Sequence, residues 1–189
     1  VVDFSETSCI VTLFTRDLGK ISGMAKGARR PKNPFESALD LLTVCRIVFI
    51  HKSSDALDLI TEAKLVRRFR TACRDLSRLY AGYYVAELLN DLTDHYDAHP
   101  ELFQAAEETL LGLDHDAQVA PLILRFELTA LRLLGHLPSL VQCVGCGKKV
   151  TDNKRIVFSS LGGGVYCEQC KVGKRQLIGV SLGAMQLLR

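Results

Sequence analysis

The sequence contains no tryptophan, and none of its apolar runs approaches the ~20 residues that a transmembrane helix needs. Its longest apolar stretches, such as Ile47–Ile50 and Pro121–Leu124, have the length of core segments. The N-terminal residues include Asp3 and Glu6 and no long apolar segment, so they do not resemble a signal peptide. With 24% charged and 48% hydrophobic residues, the 189-residue chain has the composition of a globular protein of one large or two small domains.

The common catalytic motifs are also missing. The glycines at 162–164 lack the Gly-Lys-Ser/Thr ending of a phosphate-binding loop, and there is no nucleophile elbow or His-Glu-x-x-His. The five histidines are scattered, and Asp114, His115 and Asp116 are adjacent, so they do not readily converge on one substrate. We therefore expect that the protein is not an enzyme.

Lysine and arginine are absent from residues 81–120, which carry nine acidic side chains. Basic residues instead cluster in three blocks, 16–32, 64–80 and 143–189, although the net charge of the whole chain is only +3. Nucleic-acid phosphates are the commonest cellular polyanion, so these blocks favour a nucleic-acid partner. The alternative is the chance clustering of charge found on many protein surfaces.

The first basic block ends in a loop with glycine and proline, Gly27–Pro34, between two predicted strands. Long cationic side chains on an exposed loop can reach phosphates at low desolvation cost. Aromatic side chains for base stacking are scarce nearby, which predicts salt-sensitive binding to the backbone with little sequence reading. The alternative is an ordinary solvated turn. The candidate DNA-binding residues of this loop are Lys26, Arg29, Arg30 and Lys32.

Four of the seven cysteines form two Cys-x-x-Cys pairs, Cys143 with Cys146 and Cys167 with Cys170. Two such pairs can complete a tetrahedron of thiolates around zinc, with no open coordination position, so the predicted Zn²⁺ is structural. Two disulfides or a redox pair are the alternatives, but nothing in the sequence suggests export. We expect the zinc module at about residues 140–175.

Short β-rich segments separated by turns fill residues 1–63 and predict a small barrel of the OB type, whose first strand starts at or before Val1. Helical periodicity begins at Lys64 and predicts a domain over 64–189, with a first helix that runs to about Asn90. Further helices are predicted at Glu101–Leu111, at Ala117–Leu134 as a central buried helix, and after a Ser181 cap. The fold class is therefore α+β: an N-terminal barrel, then an α-helical domain carrying the tetracysteine module.

The first predicted helix has an arginine-rich face opposite its apolar face. It is a second candidate DNA-binding surface, although a charged face is also the normal state of a helix side in water. Its residues are Arg67, Arg70, Arg74 and Arg78.

The sequence resembles the bacterial recombination mediator family RecO over nearly the whole chain. The most specific part is the A-K-G-A-R-R block that follows T-R-x-x-G-K. The resemblance rests on Thr12–Ser22, Ala25–Lys32, Leu59–Leu65, the helices Leu79–Leu89 and Arg125–Pro138, and the cysteine pairs.

The resemblance implies a cytoplasmic, nucleoid-associated bacterial protein without enzymatic activity, with no membrane partner. Members of the family bind single- and double-stranded DNA, anneal strands, pair with RecR, and recognise the C-terminal tail of single-strand binding protein. With RecR, and often RecF, they help load RecA. Carried onto this chain, the Thr15–Lys20 turn, with Arg16 and Lys20, and the Lys26–Lys32 loop would contact DNA, and the four paired cysteines would hold zinc.

Two other functions remain open from the residues. A zinc-ribbon scaffold that binds protein partners would contact DNA only incidentally. A hydrolase with a solvent-open metal would need a ligand that is not a thiolate and would lose activity with a chelator.

Overall fold

The computed structural model describes residues 1–35, 38–52, 57–70, 75–115, 117–150, 156–181 and 183–185. These form two compact units, Val1–Ala130 and Leu131–Arg189. No helix in the described ranges combines the length and the hydropathy that a membrane span requires.

The first unit begins with a five-stranded sheet in the order β1-β2-β3-β5-β4. The pairing of β3 with β5 is parallel and the other pairings are antiparallel. The predicted α+β fold with an N-terminal OB-type barrel is confirmed. Its first strand starts at Val2, and not at or before Val1 as predicted. The strands are β1 Val2–Asp3, β2 Cys9–Thr15, β3 Gly19–Ala25, β4 Val44–Ile50 and β5 Asp58–Arg67.

The barrel core follows from alternation along the strands. Every second residue of β3 is buried, including Ile21 and Ala25, because successive side chains point to opposite faces. Cys9 and Val11 of β2 and Ile60 of β5 are buried as well. The other face of the β2–β3 hairpin is therefore left for contacts outside the core.

The helix predicted from Lys64 is wrong at its beginning. Residues 64–67 are the last part of β5, which crosses the predicted boundary between residues 63 and 64, and they pair with β4 from Val44 onward. This pairing reaches about twenty residues back along the chain, and such non-local contacts override local periodicity. The first helix is α1, Leu76–Leu92, and Asp75 caps it by accepting hydrogen bonds from two backbone N–H groups.

Two further helices complete this part of the chain, α2 Pro100–Asp114 and α3 Val119–Leu133. Pro100 lies in the first turn of α2, where its fixed φ suits the start of a helix. The prediction that α3 is a central buried helix is wrong for the described structure, because only Phe126 and Ala130 in it are buried. Most of the other α3 side chains, although apolar, are partly exposed.

The segment between α1 and α2 packs on the barrel. The backbone N–H of Tyr96 donates to the carbonyl of Lys20, and the Tyr96 hydroxyl donates to the buried Asp58 carboxylate. Burial opposes ionisation of Asp58, but hydrogen bonds from Tyr96, the Lys52 N–H and His51 outweigh it and lower its pKa. The same bond raises the pKa of Tyr96 to about 12. These contacts fix the segment between α1 and α2 to β3 and to the start of β5.

The second unit contains a small antiparallel sheet in the order β7-β6-β8. Its strands are β6 Ile156–Ser159, β7 Gly164–Tyr166 and β8 Ile178–Val180. β6 and β7 form a hairpin between the two cysteine pairs, and β8, which was not predicted, pairs with β6. Ser181 caps the start of the last helical turn, since its hydroxyl accepts from the Ala184 N–H.

Candidate metal centre and nucleic-acid groove

The two Cys-x-x-Cys pairs converge in the second unit. The Sγ atoms of Cys143, Cys146, Cys167 and Cys170 all lie within 4.8 Å of one another. The Sγ atoms of Cys146 and Cys167 are 3.8 Å apart, and all four cysteines are free thiols. A tetrahedral zinc with Zn–S bonds of ~2.3 Å separates its sulfurs by about 3.8 Å, so the spacing suits a metal better than two disulfides.

Tight turns orient these thiols. The N–H groups of Gly145 and Cys167 donate to the sulfur of Cys143. Burial opposes ionisation of Cys143, but the surrounding N–H donors outweigh it and lower its pKa to about 6. Hydrogen bonds to the neighbouring sulfurs raise the pKa of Cys170 to about 12.

This pattern of pKa values fits a cation site. Four sulfur atoms so close together cannot all ionise unless a cation lies between them, because like charges repel. The four cysteines can therefore hold a metal ion, and a set of four thiolates is the donor set of structural zinc. Of the remaining cysteines, Cys9 is buried and Cys45 is partly buried in the barrel, while Cys73 lies outside the described residues.

The predicted basic loop begins where β3 ends. Gly27 has a φ of +75°, and Lys32 has a φ of +56°, so the chain turns sharply at both positions. The Arg29 N–H donates to the Thr7 carbonyl, which ties this loop to the turn between β1 and β2. Two loops at one end of the barrel thus form a single surface.

A groove of about 390 Å³ lies between these two loops. Lys26 and Arg30 both line it, and both are exposed. Arg29 is exposed next to it and pairs with Asp3 at 2.7 Å, while Lys32 is exposed further along the loop. The loop residues therefore meet at one end of the barrel, and none of the four is buried in an ion pair among the described residues.

Arg16 and Lys20 lie at the opposite end of the β2–β3 hairpin, across the seven residue pairs that join these strands. The Lys20 ammonium donates to the Asn90 carbonyl at 2.6 Å. Arg16 lies 5.4 Å from the centre of the Phe103 ring and 3.9 Å from Glu107. Lys20 thus contacts α1 and Arg16 contacts α2, and the two basic turns do not form one continuous strip. Their assignment to DNA binding stays a prediction.

The second candidate surface, the arginine face of the first helix, is not a helix face. Arg67 ends β5 and pairs with Glu107, and Arg70 lies in the segment before α1. Arg78 is in α1 but is only 15% exposed, and it donates to the carbonyls of Leu113 and His115 at the C-terminal end of α2. Arg74 lies outside the described residues.

Phe4 was not among the predicted site residues. This side chain follows β1, is 58% exposed, and lines the groove with Lys26 and Arg30. The groove exists only when two loops about twenty residues apart in sequence meet, so local sequence patterns did not place Phe4 beside these cations. Its aromatic side chain outside a predicted core segment was the available signal.

Comparison with known proteins agrees with this architecture of a barrel, helices and a tetracysteine ribbon. The model of the recombination protein O N-terminal domain matches residues 1–69, and that of the C-terminal domain matches residues 73–189. The chain belongs to the RecO family, and the predicted resemblance is confirmed.

Curated relatives carry the name DNA repair protein RecO. The protein of Rhodopirellula baltica is 51% identical over all of this chain and 70% of its own length. Those of Symbiobacterium thermophilum and Myxococcus xanthus are 35% and 33% identical, again over all of this chain. The match covers 75% and 76% of their own lengths.

Proposed function

We propose that this protein is a DNA-binding mediator of homologous recombination and DNA repair that catalyses no reaction itself. Its membership of the RecO family supports the biological role. The observation that carries the DNA-binding role is the groove that Lys26 and Arg30 line together on the barrel. OB-type barrels use a strand face and the adjoining loops for oligonucleotides, and this groove lies at such loops.

The mechanism is electrostatic. Two DNA strands repel each other through their phosphates, and a cationic surface that contacts both lowers this repulsion. Annealing is then faster although no covalent bond changes. The protein binds single- and double-stranded DNA in this proposal, and binding and annealing both weaken steeply with salt because counterions are released.

The protein partners in this proposal follow from the family resemblance. The protein pairs with RecR, often with RecF, and recognises the C-terminal tail of single-strand binding protein, so that RecA is loaded onto the coated strand. It acts in the bacterial cytoplasm, at the nucleoid. An acidic tail is expected to dock in an apolar groove with a basic rim.

Zinc is the metal that we propose for Cys143, Cys146, Cys167 and Cys170. Four protein ligands leave no position for water or substrate, so the ion stabilises the ribbon. The donor set also disfavours a hydrolase that needs an open coordination position and a non-thiolate ligand.

The test measures the rate at which complementary labelled oligonucleotides anneal, with fluorescence quenching as the readout. Reversal of two charges in Lys26→Glu/Arg30→Glu is expected to slow protein-dependent annealing at least tenfold at low salt, because phosphates lose two cations and meet two anions. Arg125→Glu/Arg132→Glu is the matched control, since both arginines are exposed on α3 and the change in net charge is the same. Equal loss in the two variants would assign the effect to net charge and contradict the groove.

A protein-interaction scaffold is the second candidate, and exposed apolar side chains on the ribbon favour it. Leu161 and Val172 are 79% and 77% exposed. This candidate predicts weak DNA binding that does not change when Lys26 and Arg30 are reversed. The annealing test therefore separates the two functions.

A further inference from the structure

The walls of the groove are held together before any ligand binds. One wall is the turn between β1 and β2, and the other is the loop after β3. The Gly27 N–H donates to the Ser8 hydroxyl, and the N–H groups of Phe4 and Ser5 both donate to the Ser8 carbonyl. The bonds from Phe4 and Ser5 hold the first wall in shape, and those from Gly27 to Ser8 and from the Arg29 backbone to Thr7 cross-link the two walls. A site fixed in this way loses little conformational entropy on binding.

The groove combines three kinds of side chain. Phe4 presents an exposed aromatic ring, and Met24 adds a polarisable apolar surface. Hydroxyl groups of the β1–β2 turn line the groove, and Lys26 and Arg30 supply positive charge. These groups match the chemistry of a nucleotide. The aromatic ring can stack on the flat base, the hydroxyls can bond its polar edge, and the cations can contact the flanking phosphates.

From this combination we infer that the groove is a stacking site for one unpaired base of a single DNA strand, with the base on Phe4 and the flanking phosphates near Lys26 and Arg30. The inference rests on the proposed DNA-binding function and adds a strand preference to it. Stacking on an aromatic ring accepts every base, so the site reads no sequence.

Size and shape favour a single strand over a duplex. The volume of about 390 Å³ is near the lower end of the ~300–1,000 Å³ found for small-molecule sites, which leaves room for one nucleotide. In a duplex both faces of each base are covered by its neighbours, so Phe4 has no free base face to contact. Duplex DNA then binds the same end of the barrel through its phosphates alone.

The experiment compares three fluorescent ligands by anisotropy: an oligothymidylate, an abasic oligonucleotide of the same length, and a duplex. The first two carry the same number of phosphates and differ only in their bases. Wild-type protein is expected to bind the oligothymidylate about tenfold more tightly than the abasic strand. Phe4→Ala removes that difference, with abasic and duplex affinities within about twofold of wild type, and Phe4→Tyr restores it.

Leu161→Ala is the control, since this side chain is also apolar and exposed but lies in the ribbon. Equal wild-type affinity for the oligothymidylate and the abasic strand would overturn the inference, as would a Phe4→Ala effect of the same size on all three ligands. If Lys26→Glu/Arg30→Glu weakens binding while Phe4→Ala leaves the preference for bases unchanged, the stacking site alone is wrong. If the double reversal leaves binding to all three ligands unchanged, the proposed function fails as well.

Discussion

Arg29 and Asp3 form an ion pair across the edge of the groove, with Nη2 and Oδ1 2.7 Å apart. Asp3 ends β1, and Arg29 lies in the loop that follows β3. Both side chains are more than half exposed, and such pairs are weak because water and salt screen them. A DNA phosphate can therefore replace the Asp3 carboxylate as the partner of Arg29.

The replacement of Asp3 by asparagine tests this competition. In Asp3→Asn the guanidinium is released and one negative charge leaves the rim of the groove. We expect the affinity for a single-stranded oligonucleotide to rise about two- to fivefold at low salt, with a smaller gain at high salt. Fluorescence anisotropy in a salt series measures both. An unchanged or lower affinity would mean that Arg29 does not contact phosphate.

The segment between α1 and α2 packs so closely on the barrel that Gly19 should not tolerate substitution by a residue with a side chain. Gly19 has a φ of +68°, and a Cβ at this position would overlap the backbone of Asp97. In Gly19→Ala the left-handed conformation costs about 1–2 kcal/mol, and relief of the overlap adds to that cost. We expect a loss of at least about 2 kcal/mol in the free energy of unfolding, measured with urea.

Gly27→Ala is the matched control for this loss. Its φ is +75°, but its Cβ would meet only the Arg30 side chain at 3.5 Å. This variant carries the same conformational cost of about 1–2 kcal/mol without the overlap, so it should lose less stability than Gly19→Ala. Equal losses in the two variants would show that the segment around Asp97 does not press on the barrel.

The metal site predicts a local effect of cysteine substitution. Cys146→Ser removes one of the four proposed zinc ligands, so we expect the purified variant to contain much less zinc than the wild-type protein. Amide hydrogen exchange should then become faster in residues 140–150 and 156–175 and stay unchanged in β2 and β3. Cys45→Ala is the control, since Cys45 lies in the barrel, and it should keep its zinc. Full zinc content in Cys146→Ser would contradict the assignment of four ligands.

Local patterns in the sequence predicted much of this structure. The spacing of Cys143, Cys146, Cys167 and Cys170 predicted their convergence, because two tight turns can serve one ion. Short β-rich segments separated by turns predicted β2 and β3. The helix predicted at Ala117–Leu134 ends close to its predicted position, at Leu133, two residues before Gly135. That glycine has a φ of +74°, and the His136 N–H donates to the Leu131 carbonyl, which closes a Schellman motif.

Non-local contacts explain what was not predicted. Residues 64–67 carry a helical pattern, but Arg46 pairs with Lys64 and Val44 pairs with Arg67, so the strand continues. Arg78 looked like a surface cation in the periodic pattern, yet its partners are carbonyls at the end of α2. In each case the deciding neighbour lies at least eighteen residues away in sequence.

The most direct test of the account is the salt dependence of DNA binding by wild-type protein and by Arg29→Glu/Arg30→Glu. The slope of log affinity against log salt concentration counts the phosphates neutralised, at about −0.7 per contact for a single strand. We expect the variant to bind more weakly at low salt, with a slope shallower by about 1.4 if each arginine neutralises one phosphate. Identical affinity and slope in the two proteins would contradict the claim that this loop binds DNA.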